Sequence, residues 1–322
     1  MNLRRSILSG LAATAVALTL SSPSPVLAQD DYPTKAVDWV VMWRAGGGAD
    51  SASRTFIERL EPILGEDIVV KNITGGGGGI GYMAAKTAKA DGYTLVTIQG
   101  DLPKFEPMGL APIALADFDI IAGYAFQSPM IVVSADSPYE TLDAFVAAAK
   151  DAPGSISVGT TDIGGVFHQP LVLFEDAAGI ETRAVALEGS SQQTVNLLGG
   201  NTDAAVTWVK ATAPYVEEGK LRYLAYMASE RHPDFPDIPT VSELGYDVVW
   251  EHPYGVGAPA GIPDAAKAKI EAAAKEIWED PSFQEKLDQQ GLTVLRMGSA
   301  DYTEHMKKMQ ADMEKAIGLI QQ

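Results

Sequence analysis

Arg44-Ala45-Gly46-Gly47-Gly48-Ala49-Asp50 follows an apolar, β-prone run at 37–43 and precedes Ser53, Phe56, Ile57, Leu60 and Leu64, which recur at helical spacing until Gly65 stops them. Strand, glycine loop, helix is the building unit of a parallel α/β sheet. The unit repeats at once. Residues 68–72 read as a second strand, and Thr74-Gly75-Gly76-Gly77-Gly78-Gly79-Ile80-Gly81 is a second glycine loop. An alanine-rich helix follows from about Tyr82, and Asp91-Gly92 turns the chain into a third strand at 93–98.

Such glycines have two readings. They are connectors that supply positive φ, or their missing Cβ lets a ligand oxygen reach bare backbone N–H groups at a helix start. Two loops after consecutive strands favour the second reading for Gly46, Gly47, Gly48, Gly76, Gly77, Gly78 and Gly79. A dinucleotide fingerprint is a poor match, because a run of five glycines satisfies G-x-G-x-x-G trivially. Asp50, in the first helical turn, is expected to complement the dipole or bond back to a free N–H rather than touch a ligand. Arg44 either pins a second anionic group through its forked donors or sits solvated at the rim.

Further along, residues 99–108 are irregular and place Asp101 where a side chain can reach a cleft. A strand-like run at 123–133 contains Ser128-Pro129, which suits an edge or a crossing between domains better than a sheet centre. From Thr141 the strand and helix pattern starts afresh. Gly159-Thr160-Thr161-Asp162-Ile163-Gly164-Gly165 precedes a helix over 166–178, and its hydroxyls and amides can donate to a carboxylate or cap the helix. His168 falls on the first turn of that helix. Ser190 and Gln193 have capping-box spacing, and Gly189-Ser190 repeats the loop position seen before. A second crossing is expected at 248–256, where Trp250 and Tyr254 either line a cleft or pack a hinge. The helices at 263–320 read as scaffold over the first domain.

Composition removes several function classes. The formal charge of −18 argues against nucleic acid and anionic membrane surfaces as partners. With no cysteine, disulfides, thiolate metal sites and thiol nucleophiles are excluded. The four histidines show no metal-ligand spacing. No metal and no cofactor is expected. Apolar residues at 46% allow real cores, which excludes disorder. Arg4 and Arg5, a short apolar run and Val26-Leu27-Ala28 form an export signal, with cleavage expected near Ala28.

Taken together, Tyr32-Pro33, Gly46-Gly47-Gly48-Ala49-Asp50, residues 76–81, Asp91-Gly92-Tyr93-Thr94, Leu198-Gly199-Gly200, Asp237-Ile238-Pro239-Thr240 and residues 258–263 resemble the tripartite tricarboxylate transporter substrate-binding proteins, the Bug or TctC-like periplasmic receptors. Their order and spacing are specific where each alone is weak. The resemblance implies an α/β, two-lobed periplasmic-binding-protein fold of type II-like topology, with the ligand cleft between lobes. It implies lobes at 29–128 plus 251–322 and at 129–250, after a signal peptide at 1–28. One wall would carry Arg44, Ala45, Gly46, Gly47, Gly48, Gly76, Gly77, Gly78, Gly79 and Asp101. The other would carry Thr160, Thr161, Asp162, His168, Gly189 and Ser190, with Tyr254 between. The implied ligand is a di- or tricarboxylate, an aromatic acid or an amino acid, passed by a monomeric periplasmic receptor to membrane permease subunits. The chain departs from the family pattern at Arg44-Ala45, where many members carry two prolines, and at Glu188. Two other classes stay open: a secreted enzyme acting on an acyl or phosphate substrate through His168 with Thr160 or Thr161, and a ligand sensor for a two-component kinase.

Overall fold

The computed structural model describes residues 32–321, so the expected export segment at 1–28 lies outside the described residues. The chain begins with β1 (Val37–Val41), α1 (Gly48–Leu64), β2 (Ile68–Asn72), α2 (Gly79–Lys86) and β3 (Thr94–Gln99). β1 pairs in parallel with both β2 and β3, as the repeated strand–loop–helix unit requires. β4 (Phe118–Gln127) then leads through Ser128 into β5 (Pro129–Ser134). β4 belongs to one sheet and β5 to another, so the Ser128-Pro129 step is a crossing.

The second sheet is built from β5, β6 (Ser157–Thr160), β7 (Arg183–Ala186), β8 (Ala204–Trp208) and β9 (Leu221–Tyr226), in the order β7-β6-β8-β5-β9. Its helices are α3 (Leu142–Asp151), α4 (His168–Ala178), α5 (Gly189–Leu198) and α6 (Val209–Glu217). The chain returns through residues 247–251 to β10 (His252–Pro259), α7 (Asp264–Trp278), α8 (Pro281–Gln289), β11 (Thr293–Met297) and α9 (Ser299–Ile320). The first sheet closes as β11-β4-β10-β3-β1-β2, with β10 antiparallel to β3 and β4. Both sheets have apolar cores on both faces. That double burial is why the inner parallel strands β1 and β3 read as near-continuous apolar runs.

Two local expectations differ from the fold, and one left open is divided between its alternatives. The capping box at Ser190 and Gln193 does not form: α5 starts at Gly189, and Gln192 turns back to accept from the Glu188 N–H at 3.0 Å. Gln193 is instead fully buried. Trp250 packs in the second lobe's core, whereas Tyr254 faces the cleft. The last helix is not scaffold for the first lobe alone. Tyr302 and Met306 of α9 join the first lobe's core, and Met309, Met313 and Ala316 join the second's. An amphipathic stripe tells that a helix is covered, not which surface covers it.

Candidate ligand-binding cleft

Between the two sheets lies a cleft of about 1110 Å³, lined from both lobes. That exceeds the usual small-molecule cavity of about 300–1,000 Å³, as suits a site open to solvent on one side. Its best-defined wall is the start of α1. Gly47 N–H is taken by Arg44 C=O at 3.1 Å, and Gly46 N–H by Asp50 Oδ2 at 2.9 Å. The N–H groups of Gly48 and Ala49 have no acceptor among the described residues, and both residues line the cleft. These are the orphan donors of a helix N-terminus, where the helix dipole also favours negative charge.

Asp50 holds this loop in shape. Besides Gly46, its carboxylate accepts from Asn72 Nδ2 and Arg54 Nε, both at 2.9 Å, and the residue is 2% exposed. Burial works against the charge, yet the bonds from Arg54, Asn72 and Gly46 outweigh it and keep the carboxyl below the usual range. At Gly48 neither backbone strain nor crowding within the chain calls for a glycine. Its φ is not positive, and an added Cβ would meet only the Tyr254 hydroxyl at 3.8 Å. Tyr254 Oη accepts from Gln127 Nε2 at 2.7 Å, which leaves the phenolic proton to be donated. Burial raises the phenol's pKa further, so it stays a donor. Two backbone amides and one phenol therefore meet at one opening.

The second glycine loop is shaped differently. Gly75, Gly76, Gly77 and Gly78 all have positive φ, from 58° to 121°, a turn that only glycines adopt without strain. For these residues the conformational reading is sufficient. Only Gly75 and Gly77 of the run reach the cleft, together with Thr74; Gly76 is exposed outside it, and Gly78 and Gly79 are buried. An added Cβ on Gly77 would lie 3.8 Å from Lys104 Nζ. Lys104 in turn pairs with Asp101 Oδ1 at 3.3 Å, while Gln99 Nε2 donates to Asp101 Oδ2 at 2.9 Å. Burial opposes ionisation of Asp101, but Lys104, His252 and Gln99 hold its carboxyl below the usual range. Gln99 Oε1 is buried without a partner.

The remaining predicted residues fall on both sides of the lining. Arg44 lines the cleft, is exposed, and has no carboxylate partner among the described residues; Ala45 is exposed beside it, outside the lining. From the second lobe Thr161 and Asp162 line the cleft, with Gly165, Val166 and Ser191. Thr161 Oγ1 accepts from Phe167 N–H at 3.2 Å and so braces its own loop. Thr160 is fully buried at the end of β6, and Gly189 and Ser190 stand outside the lining. His168 is buried; its Nδ1 accepts from Gly164 N–H at 3.2 Å, and burial lowers its pKa. That ring nitrogen is committed to the loop rather than to a threonine hydroxyl.

Several lining residues were not singled out along the chain: Trp43, Gln99, Lys104, Gln127, Trp208, Lys210 and His252. His252 and Tyr254 stack edge-on at 5.4 Å, and Trp208 of the second lobe leans on His252 at 6.0 Å. Lys104 was the most legible of them, as a lone cation in an irregular segment just after a buried strand. Chemically, the assembly offers donors and aromatic walls suited to holding a small anion with an apolar body. Among the described residues no group of three or more His, Asp or Glu is placed to hold a metal ion.

Known proteins share this sequence pattern and fold. The model for the tripartite tricarboxylate transporter family receptor matches residues 52–322. The "UPF0065 protein in gbd 5'region" of Cupriavidus necator is 31% identical, covering 97% of this chain and 96% of its own. A ligand-free TctC solute binding protein from Polaromonas superposes with a TM-score of 0.83 at 28% identity, over 89% of this chain and 99% of that one. R. palustris Rpa4515, solved with adipate, superposes with a TM-score of 0.73 at 25% identity, over 90% of this chain and 98% of that one.

Proposed function

The chain belongs to the tripartite tricarboxylate transporter receptor family of periplasmic solute-binding proteins, and on that premise we propose that it captures a small dicarboxylate and delivers it to membrane permease subunits. One carboxylate sits on the N–H groups of Gly48 and Ala49 and on the Tyr254 hydroxyl. The observation that supports this seat is the pair of unpaired N–H donors at Gly48 and Ala49 on the cleft wall, with the Tyr254 hydroxyl beside Gly48. Arg44, which has no counterion of its own among the described residues, takes the second anionic group. Adipate, the ligand of one relative, is the first compound to try.

Binding is the whole of the mechanism proposed. Donors fixed before the ligand arrives replace its water at little ordering cost. The lobes, divided at 128–129 and 250–251, then close over it, with Thr161 and Trp208 coming from the far wall. The protein is exported after loss of residues 1–28 and acts as a monomer. An enzymatic role through His168 is disfavoured by the Gly164 bond to its Nδ1.

A thermal-shift screen of organic acids tests the proposal. A ligand at 100 times its dissociation constant adds about 2.7 kcal/mol of stability, a rise of several degrees. Adipate or a related diacid should give that rise and acetate should not. A flat response to every di- and monocarboxylate would remove the proposal.

A further inference from the structure

Lys210 stands where it costs its own helix. It is the second residue of α6, in the first turn, where the helix dipole disfavours a positive charge. Its ammonium is directed away, across the cleft. Nζ donates to the Gln289 carbonyl at 3.1 Å. Gln289 ends α8, which packs with α1 and α7 on the first lobe.

The end of α8 explains why a cation fits there. Its Leu287 carbonyl is taken by the N–H groups of Gln290 and Leu292, and its Asp288 carbonyl by Gly291 N–H. The Gln289 carbonyl is left for Lys210, at the negative end of the dipole, where a cation is favoured. A second, independent contact lies beside it. Gly291 has φ +71°, and an added Cβ would come 2.9 Å from Lys210 Cβ and 3.4 Å from its Cδ. The lysine stem thus lies directly on the first lobe's backbone. Lys210, Gln290 and Leu292 all line the cleft.

We propose that Lys210 is a latch that holds the two lobes at the separation seen in this structure by capping the C-terminus of α8, and that it acts on ligand affinity through that separation without touching the ligand. The proposal rests on the solute-binding reading of the cleft, but its test does not need a ligand. The chain has no cysteine, so nitroxide labels can be placed at Glu217→Cys on α6 and Glu285→Cys on α8, both exposed. Pulsed electron–electron resonance then reads the distance distribution across the cleft in ligand-free protein.

With Lys210→Met, which keeps the stem and removes the charge, the distribution should broaden and move to longer distance. Lys210→Arg should restore most of the short-distance population, since its guanidinium can reach the same carbonyl. Adipate affinity should weaken about 3- to 10-fold in Lys210→Met, the scale of one exposed charged hydrogen bond. Unchanged distance distributions in Lys210→Met overturn the latch. So does a loss of adipate affinity without a change in distance, which would make Lys210 a ligand contact. If adipate fails to bind the parent protein, the ligand proposal suffers, while the distance measurement still decides the latch.

Discussion

Asp50→Ala separates a residue that shapes the seat from one that touches ligand. The parent carboxylate takes part-buried bonds from Gly46 N–H and Asn72 Nδ2, each at 2.9 Å. Hydrogen bonds to a charged acceptor contribute about 1.5–3 kcal/mol each. The third partner, Arg54, has a side chain 50% exposed, so solvent screening reduces its share to below about 1 kcal/mol. Removing all three costs about 3–7 kcal/mol. For a chain of this size that corresponds to a fall in Tm of about 6–21 °C at roughly 2–3 °C per kcal/mol. Asp50→Asn keeps the shape and one acceptor oxygen, so it should lose about half as much. Calorimetric melting of ligand-free protein at pH 7 reads both. Because the folded carboxyl has a lowered pKa, its stabilisation is complete above about pH 4 and disappears as the pH falls through the folded value; Asp50→Asn should lose that acid-side slope. A Tm for Asp50→Ala within 1 °C of the parent would refute the structural role. An Asp50→Asn protein that melts normally but binds no adipate would place the carboxylate on the ligand instead.

Gly48→Ala should leave Tm unchanged or slightly higher, because the position is helical and open, yet weaken adipate about tenfold by putting a methyl group before the donors; calorimetric titration measures both effects. Arg44→Met should cost less than about 0.5 kcal/mol of stability, since no partner is lost, while weakening diacids about tenfold and leaving monoacids unaffected. Burial lowers the pKa of His168, His232, His252 and His305 alike. Below about pH 6.5 the unfolded chain therefore binds protons that the folded chain refuses, so stability is complete above that pH and falls below it. Melting at pH 7.5 and 5.5 should show the drop, and His252→Gln should make it smaller.

How far the sequence spoke depended on whether a feature was set locally. Parallel strands buried on both faces must be apolar along their length, so β1 and β3 were legible within a residue or two. Pro129 lacks an N–H and therefore marked the passage between sheets. Gly65, with φ 80°, ended α1 as expected. By contrast β11, Thr-Val-Leu-Arg-Met at the sheet edge, has one fully buried side chain and no clear alternation. The cleft was half legible. Glycines before helices announced the α1 seat, but Lys104, Gln127 and His252 reach the ligand space only because β3, β4 and β10 end side by side. Gly78 and Gly79 looked equivalent to Gly48 in sequence, yet they serve the turn and the packing of α2.

The course of α9 limits how the molecule can be taken apart. Its 22 residues span about 33 Å at 1.5 Å per residue, and the apolar face changes owner partway along. Residues 129–250 expressed alone would present α4 without Met309, Met313 and Ala316, a bare hydrophobic strip inviting self-association. A circular permutant or a sensor fusion has to carry the C-terminal helix with both halves. Methionines stand at the changeover, Met306 in the first lobe's core and Met309 and Met313 in the second's, where long unbranched side chains fill the gap between two differently shaped surfaces.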